Sequence, residues 1–131
     1  MSIKTLESLV PPLELCKLIP KGEFEETELV HSLSCAGEPF VQQRDIIQFA
    51  VRGVILCPAP TLAEIFAKLP QTSSVTWFQQ EEYQNAYAVG CYILRHKPLK
   101  AKRIVEIDDN PATAALKLWL GLEQRKTVKN G

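Results

Sequence analysis

The stretch DDNPATAALKLWLGL, Asp108 to Leu122, constrains this chain more than any other. Asn110 is a strong N-cap residue, and Pro111 suits the first helical position because its φ is fixed and it has no donor to waste. Asp108 and Asp109 place negative charge at the positive end of the helix dipole. Ala112, Ala115, Leu116, Trp119, Leu120 and Leu122 recur at intervals of three and four, the spacing of one helical face. Such a helix must bury its stripe. Leu116, Trp119 and Leu120 would each contribute roughly 1.5–3 kcal/mol on burial. The segments before it are strand-like, so the stripe is expected to close a core against a sheet.

Those segments follow in order. Thr5 to Val10 can form a short helical turn that Pro11-Pro12 stops. Leu13 to Ile19 suits one or two further turns, and Lys21-Gly22 reads as a turn. Strand formers gather at Leu29–Leu33, and CAGEP breaks the run. In FVQQRDIIQFAV, the residues Phe40, Val41, Ile46, Ile47, Phe49 and Val51 fit two short strands better than one helix. VILCPAP reads as a strand end closed by prolines.

TLAEIFAKLP opens on a capping box, in which Thr61 and Glu64 each satisfy an orphan backbone N–H. A helix of about nine residues is expected, with Leu62, Ile65, Phe66 and Leu69 on one face and Pro70 as its stop. Then SSVTWFQQEEYQNAYAVGCYILRHK predicts an antiparallel hairpin, 74–79 against 86–94, with its tip at Gln80 to Asn85. RIVEIDD predicts a third strand. The pattern as a whole predicts an α+β fold: one small domain over residues 1–131, with an antiparallel sheet and helices on one face.

Charge and cysteine usage narrow the function classes. Fifteen basic and fifteen acidic residues give a formal net charge of zero. That argues against a protein that coats nucleic acid, and it removes one barrier to self-association. Cys16, Cys35, Cys57 and Cys91 show none of the close pairing of a zinc site. The start, MSIKTLESLVPP, has no continuous apolar segment of a secretory signal. Four reduced, mostly buried thiols in a cytosol are therefore expected. No apolar run approaches the roughly 18 residues of a membrane span.

RHKPLKAKR, Arg95 to Arg103, is the main charge feature. It reads as a basic loop joining the hairpin to the last strand. Arg95, Lys97, Lys100, Lys102 and Arg103 are the candidate phosphate contacts, with Tyr92, Tyr87 and Trp77 as stacking partners. The plainer reading is a solvated connector. His31 reads as a packed strand residue, although a Cys–His pair with Cys35 or Cys57 could assemble in space. Glu23, Glu25, Glu26 and Glu28 read as a solvated face. No phosphate-binding loop, zinc-protease or serine-hydrolase motif occurs. These features imply neither catalytic residues, metal nor cofactor.

The chain also resembles small proteins encoded by phages and prophages of gut bacteria. The resemblance rests on the Pro-Ala-x-Ala helix start at Asn110-Pro111-Ala112-Thr113-Ala114-Ala115, on Pro58-Ala59-Pro60-Thr61-Leu62-Ala63-Glu64 before a hairpin, and on PPLELCKLIPKG and the final VKNG. It is a resemblance of caps and core helices and brings no catalytic residues. The chain is expected to be a non-catalytic phage-type accessory protein in the bacterial host cytoplasm, acting by protein–protein contact with an unknown partner or as a homodimer. A weak nucleic-acid-binding module and a small enzyme with a spatially assembled site are the alternatives.

Overall fold

A computed structural model describes residues 3–44, 54–78, 86–96 and 99–130. The chain divides into two compact units, Met1–Glu64 and Ile65–Gly131. Among the described residues each unit carries one three-stranded antiparallel sheet. The fold class is α+β, as the pattern predicts, but the strands are shared between two sheets.

The first unit opens with α1 (Ile3–Ser8) and α2 (Leu13–Cys16), separated at Pro11-Pro12 as expected. Then come β1 (Leu29–Leu33), β2 (Pro39–Gln43) and β3 (Val54–Ala59), in the order β2-β1-β3. β1 is the central strand, and Leu29 to Ser32 are all buried. A strand with both sides covered cannot show the alternation of a half-buried one. α1 lies against β2 and α2 against β3. The core joins Val10, Leu29, Val41 and Ala59, with Leu6 packed on it. The turn after β1 contains Gly37 at φ 83°, a left-handed conformation that glycine adopts without strain. Pro58 sits in β3, an edge strand, where a missing ladder donor is tolerated. The expected strand formers Ile46, Ile47, Phe49 and Val51 lie outside the described residues.

The capping box forms as read. Thr61 N–H donates to Glu64 Oε1 at 2.9 Å, and Glu64 N–H to Thr61 Oγ1 at 3.4 Å. The other carboxylate oxygen, Oε2, accepts from Glu28 N–H at 3.0 Å, just before β1. One side chain thus serves a helix start and a strand start. The helix itself, α3 (Leu62–Phe66), is shorter than the expected nine residues. Lys68 and Leu69 N–H bond three residues back, to Ile65 and Phe66, so the chain tightens into turns before Pro70.

The second unit contains β4 (Ser74–Phe78), β5 (Ala86–His96) and β6 (Leu99–Asp108), in the order β4-β5-β6, and then α4 (Pro111–Asn130). The expected hairpin is present, with Val75 opposite Val89 and Trp77 opposite Tyr87. Its tip lies outside the described residues. α4 packs against β5 and β6. Asn110 Oδ1 accepts from Ala112 N–H at 2.9 Å and Thr113 N–H at 3.4 Å, the N-cap arrangement the sequence calls for. Asp108 braces the entry further: Oδ1 accepts from Asn110 N–H, and Oδ2 pairs with Lys117 Nζ, both at 3.0 Å. Ala112 to Leu116, Leu118 and Trp119 are buried, so burial wraps the first half of α4 beyond the single stripe read from the spacing. Leu120 and Leu122, expected inside, are only half-buried.

Candidate functional site

The basic residues are not on a loop. Arg95 is the next-to-last residue of β5, and Lys100, Lys102 and Arg103 lie within β6, which begins at Leu99, four residues before the expected strand at Arg103–Asp109. Lys97 lies outside the described residues. The register sets Arg95 opposite Lys100, Ile93 opposite Lys102 and Tyr92 opposite Arg103. The basic run reads in the sequence as a loop joining the hairpin to the last strand. A ten-residue ladder against β5 overrides that local composition.

The sheet has two unlike faces. Residues directly opposite each other in an antiparallel ladder share a face. Val89 and Cys91 are buried and lie on the side of α4, where the Arg125 charge reaches Cys91. On the other face stand Tyr92, Val105 and Ile107, at 51, 37 and 48% exposure, together with exposed Arg103 and Thr76. Between them the floor is low. Gly90 lies opposite Val105, and a Cβ there would meet Ile104 O and Val105 Cγ2 at 3.0 Å. Only a glycine lets the strands keep that approach without a shift. Thr72 Oγ1 accepts from Tyr92 N–H and donates to Tyr92 O, both at 3.1 Å, holding β5 just ahead of the start of β4. The result is an open, largely apolar face whose backbone is fixed on both sides of Tyr92.

Of the expected stacking partners, Tyr92 alone is exposed on this face. Trp77 and Tyr87 share the opposite face by register, with Trp77 exposed and Tyr87 half-buried. The three rings therefore do not form one platform.

The Cys–His pairing divides. Cys35 is exposed in the turn after β1, whereas Cys57 is the cross-strand partner of His31. His31 is buried and its Nε2–H donates to the Pro11 carbonyl at 3.0 Å. The same carbonyl accepts a weak bond from Cys16 Sγ at 3.5 Å. Burial holds the His31 pKa below its ordinary value, against the opposing pull of the Pro11 bond and the Glu7 charge. Burial likewise pushes the Cys16 and Cys57 thiols up, so neither is poised as a thiolate. The group is a packed polar cluster of neutral side chains. Its centre, the Pro11 carbonyl, carries no sequence signal. The expectation of mostly buried thiols holds for Cys16 and Cys91 but not for exposed Cys35 or half-buried Cys57. All four are free.

The carboxylates are also accounted for by structure. Glu25, Glu26 and Glu28 are exposed, as a solvated face requires, whereas Glu23 is half-buried. Burial opposes the charged form of Asp108, but bonds from Asp109, Asn110 N–H and Lys117 outweigh it and lower its pKa. Asp109, hydrogen-bonded to that carboxylate, is raised. No group of three His, Cys, Asp or Glu side chains among the described residues could hold a metal ion. No helix among them is long and apolar enough to cross a membrane. No family model, curated protein or solved structure matches the chain.

Proposed function

We propose that the chain is a non-catalytic accessory protein, of the phage type its capped helices resemble, that works by protein–protein contact in the host cytoplasm. The observation that carries this reading is the open face at Tyr92, Val105 and Ile107. A half-exposed tyrosine and two aliphatic side chains on a rigid sheet suit the apolar centre of a protein contact, and Arg103 beside them suits its rim. Proximity labelling in expressing cells, comparing the natural chain with one carrying Tyr92→Thr and Ile107→Thr, tests it. Loss of particular labelled proteins from the variant is expected. Identical labelling of both chains would contradict the reading.

The β5–β6 ladder favours a second reading. From Ala86 to Val105 there is no carboxylate, while Arg95, Lys100, Lys102 and Arg103 fall in the far half of the ladder. Like charges set opposite each other, as at Arg95 and Lys100, weaken a strand pair, and an anionic ligand would relieve them. A nucleic acid would meet Glu106 only three residues from Arg103, about 10 Å along a strand and within about one Debye length. Val105 and Ile107 offer it neither charge nor a stacking surface. Protein contact is therefore the stronger reading.

A further inference from the structure

We infer that two copies of the chain pair through β6, edge to edge and antiparallel, to give a continuous six-stranded sheet. The inference goes beyond the partner-contact reading and does not rest on it.

Among the described residues β6 has one strand neighbour, β5, and no second strand pairs with its other edge. Lysines on such an edge ordinarily guard it against a second strand. The guard works when the charge keeps one sign along the strand. In LKAKRIVEID the sign reverses at the middle: Lys100, Lys102 and Arg103 lie before Ile104, and Glu106 and Asp108 lie after it. An antiparallel copy runs the other way, so the strand is complementary to itself.

Symmetry fixes the register. A two-fold axis through a sheet brings residues opposite each other only when both project from the same face. With the axis at Ile104, Lys102 faces the partner's Glu106, and Lys100 faces the partner's Asp108, a carboxylate that already holds Lys117 within each chain. Arg103 faces the partner's Val105 and Ala101 the partner's Ile107. Each charge pair occurs twice. Moving the axis to Arg103 sets that arginine against its own copy. Moving it to Val105 leaves Glu106 opposite the partner's Ile104. The Ile104 register is the one that pairs both lysines with carboxylates.

The exposure fits. Lys102, Arg103, Val105 and Ile107 are exposed, and Glu106 is half-buried. Neither Lys102 nor Glu106 enters a salt bridge with another described residue. The zero net charge sets no long-range repulsion against the encounter.

Sedimentation equilibrium tests this. The natural chain should dimerise with a Kd of about 10⁻⁵ M or tighter. Lys102→Glu and Glu106→Lys should each turn two attractive cross-strand pairs repulsive and weaken the dimer about tenfold or more. The chain carrying both exchanges restores opposite charges across the axis and should recover the natural affinity. Far-UV circular dichroism checks that each chain is folded. A natural chain that stays monomeric at about 10⁻⁴ M overturns the inference. So does a dimer indifferent to the single exchanges, or a double exchange no tighter than the singles.

Discussion

His31 Nε2 and the Pro11 carbonyl oxygen lie 3.0 Å apart, joining the middle of β1 to the break between α1 and α2. Because a carbonyl can only accept, the ring carries a proton on Nε2. The folded pKa is held below the ordinary 6.5 by burial. The unfolded chain therefore takes up this proton first as the pH falls. Stability is expected to be full above about pH 6.5 and to decline below it, until the folded pKa is passed. His31→Gln, which keeps a donor but does not titrate there, should flatten that decline. Urea midpoints at pH 7.5 and 5.5 for both chains measure it. Equal losses in the two chains would show that His31 is not the titrating group.

Burial ranks the thiols. Cys35 is exposed, Cys57 half-buried, and Cys16 and Cys91 are covered, with burial raising all three of the latter. A native chain should react quickly with Ellman's reagent at Cys35 and slowly elsewhere, and a denatured, non-reduced chain at all four. Mass spectrometry of the labelled peptides assigns the fast site. Fast native labelling of Cys16 would contradict the packing around Pro11.

The two tryptophans have opposite roles. Trp119 is 3% exposed on α4, whereas Trp77 is 55% exposed on β4. Trp119→Ala should cost about 3–5 kcal/mol in chemical denaturation, the range for a core aromatic truncation. An unchanged midpoint would mean that α4 does not hold the core through this side chain.

What the sequence reveals here is what short-range chemistry decides. Thr61 with Glu64, and Asn110 with Ala112 and Thr113, are contacts two or three residues apart, and they form as read. Strand positions at Leu29–Leu33 and Ala86–Leu94 follow from residue type alone. The rest depends on distant partners. Lys100 to Arg103 become strand because β5 offers a ladder, which composition cannot show. Leu118 is buried although it lies off the expected stripe, because covering α4 on more than one side is a tertiary fact. The Glu28–Glu64 bond and the Pro11 cluster join segments 36 and 20 residues apart. The open face was equally hidden: periodicity assigns Tyr92 and Ile107 to a side of a strand, not to solvent.

Nucleic-acid binding is expected to be weak. No complex tighter than about 10⁻⁵ M should appear near physiological salt with single-stranded or duplex oligonucleotides. Three to five phosphate contacts would instead give a log–log salt slope of roughly −3 to −4.5 on duplex DNA, and replacing Lys100 and Lys102 with Ala would remove close to two units of it. A sub-micromolar, steeply salt-dependent complex in fluorescence anisotropy would promote the second reading over the first.

If the face at Tyr92, Val105 and Ile107 serves contact with a partner, the isolated fold does not depend on it. Tyr92→Thr with Ile107→Thr keeps strand-forming residues while removing the apolar bulk. The equilibrium urea stability of that double variant is the most direct measurement. A change within about 1 kcal/mol of the natural chain is predicted, as for surface substitutions. A loss of roughly 4 kcal/mol or more, the cost of two core truncations, would show that the face is part of the core and contradict the account.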